Sequence, residues 1–344
     1  MKRTKSANAR RPMLFLLVIL LIGHVFLPNQ AGAKEGSLPP AMGLATHPVG
    51  SLFYTLGSGF AKLLTERLPT TVSVQPFTSS GAWFPMVDSG ELMLGIINNY
   101  DPWAAYRGLP PYKERYPNLR FLCTGPSLKL SYLVATSSPF KTVADLKGKR
   151  AAYGKGMPGQ RFWAEGVLEA AGLKPGVDVK VVPTPDIVAP VRAIMDGRAD
   201  AGAAATGMAV VTEAAAKLKG VRYLPAATSP EEVRVVEASG PCEICVQKKG
   251  PPGVAEDTPL VCMKMNFLAS KQLSEEGAYQ VVKAIWDHHE DLIPVHVVFR
   301  QLTHATMIHK KPVVPYHDGA IRFFKEKNLW TDELEKKQKE MLAE

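Results

Sequence analysis

Four cysteines in 344 residues are too few for the dense crosslinks of small secreted domains, so an apolar core must hold this chain together. No H-E-x-x-H zinc helix, Walker phosphate loop or G-x-S-x-G nucleophile elbow occurs, which removes the commonest sequence grounds for a metalloprotease, nucleotidase or hydrolase. No apolar run reaches the roughly 20 residues of a membrane-spanning helix; residues 13–27 come nearest, and His24 interrupts them. Nor is there a Lys/Arg-rich stripe. The net charge is +9, but five of the 41 Lys+Arg and none of the 32 Asp+Glu lie in residues 1–33. Beyond them 36 basic face 32 acidic residues, a balance that gives no support to nucleic-acid binding and mildly favours an anionic solute.

With 46% hydrophobic and 21% charged residues the composition is that of a globular protein, and a prior of roughly 150 residues per domain gives two domains. Lys2, Arg3, Lys5, Arg10 and Arg11 precede the apolar run, and Pro28 and Ala31-Gly32-Ala33 follow it. That order predicts a secretory signal peptide over residues 1–33, cleaved near Ala33, and a periplasmic location. Export permits disulfides, for which Cys123, Cys242, Cys245 and Cys262 are the candidates; three pairings are open. Cys242-Glu-Ile-Cys245 reads as part of a structural crosslink beside the turn at Gly240-Pro241, with a redox pair or half a metal site as alternatives.

From Gly43 the apolar pattern alternates between strand and helix, as in a parallel α/β sheet. Strands are predicted near residues 43–45, 72–75, 92–97, 120–124, 131–136, 151–153, 179–182, 199–205, 221–225 and 260–268. Helical spacing follows Phe53, Leu56, Phe60, Leu63 and Leu64, then residues 159–171, 187–195 and 208–218, and the chain beyond Ser274 reads as helical. Residues 100–117 read as a polar, proline-rich connection. The chain therefore leaves a first lobe (34–132 plus 264–344) for a second (133–263) and returns, so two crossover strands form a hinge.

Loops at the ends of parallel strands face the cleft of such a fold. These are Thr46-His47-Pro48-Val49-Gly50-Ser51, Thr78-Ser79-Ser80-Gly81 and Ile97-Asn98-Asn99-Tyr100 from the first lobe, and residues 154–161 and Ala205-Thr206-Gly207 from the second. Hydroxyls, amides and unpaired N–H groups at helix starts suit a carboxylate or phosphate, and Arg161 adds a full charge. Expected ligand-facing residues are thus His47, Ser51, Ser79, Ser80, Asn98, Asn99, Tyr100, Gly159, Gln160, Arg161 and Thr206, with Trp83 as a candidate pocket wall. Gly154-Lys-Gly-Met-Pro-Gly159 satisfies G-x-G-x-x-G, yet Pro158 distorts it and Asp178 precedes its strand instead of ending it, so no nucleotide cofactor is expected. Six of eight histidines fall between His288 and His317, without metal-ligand spacing, and no metal is expected. The sequence offers no acid, base or nucleophile in a catalytic arrangement, so an enzyme is not expected.

Residues 315–329, Pro-Tyr-His-Asp-Gly-Ala-Ile-Arg-Phe-Phe-Lys-Glu-Lys-Asn-Leu, resemble the C-terminal signature of the TAXI-type solute receptors of TRAP (tripartite ATP-independent periplasmic) transporters. Gly90-Glu91, Phe53-Tyr54 and the strand through Ile97 are similar to that family's N-terminal pattern. The resemblance implies a type II periplasmic-binding fold, capture of a small carboxylate-bearing solute by lobe closure and delivery to TRAP permease subunits. It also implies ligand-facing roles for Tyr54, Ser80, Asn98 and the amides of Gly159 and Gln160. Glutamate is not carried over, because Thr46-His-Pro-Val-Gly50, Phe84-Pro85 and Pro158 depart from the family's loops. The alternatives are a sensing module for a membrane signalling protein and an exported enzyme on the same scaffold. The exported protein is expected to begin close to Lys34, which intact-mass measurement of the secreted form checks; a form retaining residues 1–33 would mean an uncleaved anchor.

Overall fold

The computed structural model describes residues 38–344. The signal peptide expected over residues 1–33, with its cleavage near Ala33, lies outside the described residues.

The chain opens with Ala41–Thr46 (β1), Leu52–Arg67 (α1), Thr71–Pro76 (β2), Phe84–Ser89 (α2), Leu94–Asn98 (β3) and Tyr100–Arg107 (α3). β1 runs parallel to both β2 and β3. Ser51 starts α1 by accepting Tyr54 N at 3.1 Å, and the 3.6-residue apolar stripe that follows is buried. Its Phe60 is fully enclosed, with Phe267 and Phe299 ring centroids at 5.0 and 5.2 Å. Burying a ring of this size stabilises by roughly 1.5–3 kcal/mol.

Leu119–Ala135 (β4) carries the chain into the second lobe, built from Arg150–Tyr153 (β5), Pro158–Ala170 (α4), Lys180–Pro183 (β6), Ala189–Met195 (α5), Ala201–Ala205 (β7), Ala209–Lys217 (α6), Val221–Tyr223 (β8), Pro230–Ala238 (α7) and Glu243–Gln247 (β9). Thr258–Ser270 (β10) returns to the first lobe, where Glu275–His288 (α8), His304–Met307 (α9), Asp318–Glu326 (α10) and Asp332–Ala343 (α11) follow. The strand order is β2-β1-β3-β10-β4-β7-β5-β6, with β8 on β4 and β9 on β10. β7 is Ala-Gly-Ala-Ala-Ala, buried throughout, because Gly202 lies so close to the Pro190 carbonyl that a Cβ there would collide with it.

One expectation changes at the hinge: the two strands predicted at 120–124 and 131–136 are a single 17-residue strand, β4. Gly125-Pro126 reads as a break, but it forms a bulge opposite Met265. Thr124 pairs with Asn266 and Ser127 with Lys264, so proline's missing N–H falls where the ladder is already interrupted. A side chain at Gly125 would press on Met265, whose nearest atoms lie 3.2 Å from the Cβ position. Residues 100–107, expected as irregular, form α3, because Pro102 sits in the first turn, where its missing N–H costs nothing, and Gly108 ends the helix at φ 66°.

Cys245 and Cys262 are bonded, tying β9 to β10 with Cα atoms 5.9 Å apart. The other two candidates, Cys123 and Cys242, are free thiols. Cys123 faces the first lobe's core, and Cys242 lies at the end of α7 with its Sγ 3.3 Å from the Val236 carbonyl. Burial pushes both thiols up to about 12, so neither is a reactive thiolate.

The 315–329 segment is a packing device. His317 accepts Gly319 N through Nδ1 at 3.3 Å and bonds the Leu273 carbonyl through Nε2 at 2.9 Å, starting α10. Arg322 reaches Glu275 (3.0 Å) and Glu276 (2.6 Å) on α8 and covers the Tyr279 ring at 4.1 Å. Gly319 lies directly against the α8 backbone at Glu275 and Tyr279, where a Cβ would clash with main-chain atoms that cannot turn aside. Gly319→Ala is expected to destabilise the protein by about 1–3 kcal/mol through overpacking. Urea unfolding measures this, and an unchanged midpoint would show that α8 and α10 separate freely.

Candidate functional site

The ends of β1 and β3, the starts of α1, α3 and α4, and the hinge strands converge on a cleft between the lobes that encloses a cavity of about 40 Å³. Leu52, Phe53, Leu128, Leu130, Met157, Trp163, Ile187, Met208 and Met263 supply most of its wall, and His47, Asn98, Asp101, Gly159 and Gln160 supply its polar groups.

Asp101 is the centre of the polar part and is buried. Its Oδ1 accepts from Ser80 Oγ at 3.0 Å, Tyr112 OH at 2.5 Å and Gly159 N at 3.3 Å, and its Oδ2 accepts from Asn98 Nδ2 at 2.5 Å. Burial pushes the carboxyl above the ordinary range, and the bonds from Tyr112, Asn98, Ser80 and Gly159 pull it back. Burial and the neighbouring carboxylate together push the Tyr112 phenol well above its usual value, so it stays a donor. Gly159 stands at the first turn of α4, whose unpaired amides and dipole attract negative charge. The chain's own carboxylate fills that place. A Cβ at residue 159 would fall on Asp101 and Asn98, so only glycine permits the approach.

Three further contacts hold the lobes together. Asn99 Nδ2 donates to the Pro241 carbonyl at 2.7 Å, Tyr100 stacks on Phe162 with centroids 4.2 Å apart, and Val210 N donates to the Gly50 carbonyl at 3.4 Å. The described conformation is therefore closed.

Of the residues expected at the site, His47, Asn98, Gly159 and Gln160 meet on the cleft wall, and Ser80 stands behind them on Asp101. The others are elsewhere. Ser51 is the buried cap of α1, Tyr54 lies half-buried farther along that helix, and Ser79 precedes a short 3₁₀ turn without capping it. Trp83 is enclosed in the first lobe, edge-on to Phe84 at 4.4 Å, in space left by Gly95. Asn99 and Tyr100 serve the lobe contacts above. Arg161 follows Gln160 by one residue and so turns about 100° away around α4, to pair with Glu165 at 3.0 Å outside the cleft. Thr206 borders a separate surface groove with Lys129 and His296. Asp101 and Tyr112 were missed, because residues 100–117 read as irregular; Asn99-Tyr-Asp-Pro102, an acid and a proline in one first turn, is the helix-start signal that marks them.

His47 has 2% exposure, meets Phe53 edge-on at 4.9 Å, and has no partner for Nδ1. Burial lowers its pKa to about 4, so the ring is neutral in the folded protein. The unfolded ring titrates near 6.5 and binds the proton first. Stability from this group is therefore complete above about pH 6.5 and is lost as pH falls towards about 4. His47→Gln is expected to flatten stability against pH in that window by up to one proton, about 1.4 kcal/mol per pH unit. Urea titrations at several pH values read this directly; an unchanged slope would mean that the folded ring protonates freely.

Residues 44–327 match the NMT1-like family. Among solved structures, PhnD1 from Prochlorococcus marinus (MIT 9301) in complex with methylphosphonate is 13% identical, covers 85% of this chain and 100% of its own, and superposes with a TM-score of 0.54. The periplasmic aliphatic sulphonate binding protein SsuA from Escherichia coli is 18% identical over 88% of this chain and 92% of its own, at 0.45. An ancestral arginine-binding protein bound to arginine is 14% identical over 76% and 98%, at 0.47. The likeness to PhnD1 is one of fold: the two-lobed, type II periplasmic-binding architecture.

Proposed function

The chain belongs to the NMT1-like family, and from that premise we propose that it is an exported solute-binding receptor which captures a small molecule by closing its two lobes and presents it to a membrane permease. The observation that carries this reading is the bond from Gly159 N of the second lobe to Asp101 of the first, made across a cavity lined by both. A site assembled only on closure couples binding to shape, as a receptor for a membrane partner requires. We place the lobes at residues 34–132 plus 264–344 and at 133–263, with β4 and β10 as the hinge. Their bulge at Met265 supports this, since an interrupted ladder bends at lower cost than a regular one.

Export to the periplasm is supported by the charged and apolar pattern of residues 1–33. Delivery to a TRAP permease is supported by the resemblance at residues 315–329; that segment packs α10 on α8 and none of it lines the cleft, so it speaks for ancestry and not for ligand class. The carboxylate-bearing solute expected from the sequence rested on strand-end hydroxyls, helix-start amides and the family resemblance, with Arg161 as an added charge. That guanidinium is engaged by Glu165, and among the described residues lining the cleft none is lysine or arginine.

The test is a thermal-shift screen of the purified protein against amino acids, amines, carboxylates, phosphonates and sulphonates, with X-ray scattering of each hit. A ligand specific for the folded state adds about 2.7 kcal/mol at a hundredfold excess over Kd. Gly159→Ala places a methyl group against Asp101 and Asn98. It is expected to enlarge the radius of gyration and to weaken any hit about tenfold or more while the fold is kept, because the strain falls on the closed state alone. Chemical conversion of a compound, or no binder in the whole screen, would overturn the receptor reading.

A further inference from the structure

Most donors of the polar side chains around the cleft are engaged within the protein, with one N–H left on each of Asn98 Nδ2 and Gln160 Nε2. Asn98 Oδ1 accepts Tyr100 N and Asp101 N while its Nδ2 serves Asp101. Gln160 Oε1 accepts Gly154 N at 2.7 Å and its Nε2 donates to the Ala203 carbonyl at 3.4 Å. Ser80, Tyr112 and the Gly159 amide all point at Asp101.

Acceptor capacity, by contrast, remains. Each oxygen of a carboxylate offers about two lone-pair sites, and Oδ2 of Asp101 has one donor within the protein. Gly159 N and Asn98 Nδ2 can only donate, and with Ser80 and Tyr112 they stabilise the ionised carboxylate against the burial that raises its pKa. Facing the same cavity, His47 is buried, neutral and unpartnered at Nδ1. The wall between is made partly of Met157, Met208, Met263, Phe53 and Trp163, polarisable sulfurs and aromatic rings beside which a cation is favoured. An anion entering here would meet Asp101 with no lysine or arginine on the cleft wall to compensate it, and the Gly159 amide at the start of α4 is already taken.

We infer that the closed cleft is built for a small cationic solute, an ammonium group on an apolar body, with Asp101 as its counter-charge and His47 as a second hydrogen-bonding partner. The inference rests on the receptor reading and gives its site a substrate class.

Calorimetric titration of the purified protein tests it with primary amines from butylamine to 3-phenylpropylamine, the carboxylates of matched length, and the same amines after N-acetylation. At least one amine is expected to bind, with its carboxylate and N-acetyl counterparts weaker by about tenfold or more, the range for a hydrogen bond to a charged group. Asp101→Asn is expected to lose the preference for the amine by a similar factor. If that variant does not fold, the N-acetyl comparison in the unaltered protein decides alone, since it removes the charge and keeps the body. A carboxylate that binds as tightly as its amine, or a series in which no amine binds, would overturn the inference. A carboxylate hit would leave the receptor reading standing, whereas silence here together with an empty solute screen would remove both.

Discussion

A buried carboxylate at the start of a helix from the opposite lobe organises this molecule. Asp101 brings together the end of β3, the turn before α2, the segment after α3 and the first turn of α4, through Asn98, Ser80, Tyr112 and Gly159. Without it Asn98 Nδ2 and Gly159 N would be left unpaired, at about 1–3 kcal/mol apiece, while Ser80 Oγ and Tyr112 OH, 2.8 Å apart, would keep each other. The first three bonds lie within one lobe and persist whatever the hinge does. The fourth joins that lobe to the start of α4 in the other.

That division suits the covalent and packing constraints around it. β4 and β10 pair over most of their lengths, yet the ladder is interrupted at Gly125-Pro126 opposite Met265. The Cys245–Cys262 bond fixes β9 to the second-lobe end of β10. At the other end the clamp of α10 on α8, with His317, Gly319 and Arg322, holds the first lobe's outer layer. The polar contacts that close the cleft are few and individually modest: the Asp101–Gly159, Asn99–Pro241 and Val210–Gly50 bonds beside the Tyr100–Phe162 stack. A weakly held closed state is one whose population a solute can shift.

The clustered histidines show how an ordinary structural need can imitate a site. His317 and His296 cap helix starts, and His289 and His304 both contact Trp286, through its carbonyl and, for His304, by stacking at 4.0 Å. His47, which lies outside that cluster, is the one on the cleft wall with an unused ring nitrogen.

The alternation of apolar strands and helices, the two-lobed class, the crossover connections and most of the strand-end loops follow from the sequence, because burial periodicity and glycine or proline punctuation are local properties. His47, Asn98, Gly159 and Gln160 were legible for the same reason: they stand where parallel strands end and helices begin. What residues distant in sequence do to one another was not legible. Gly125-Pro126 breaks a strand unless a bulge stands opposite. Arg161 is a ligand candidate until the register of α4 turns it to Glu165, and the cysteine pairing depends on β9 lying beside β10. Asp101 is one acid among 32 until α3 and α4 meet, and only their meeting makes it the charge that fills the anion place. Sequence thus determined the elements and the cleft's address, while the partners of the carboxyl inside it were decided by tertiary contacts, since electrostatics depends on distances that no local pattern contains.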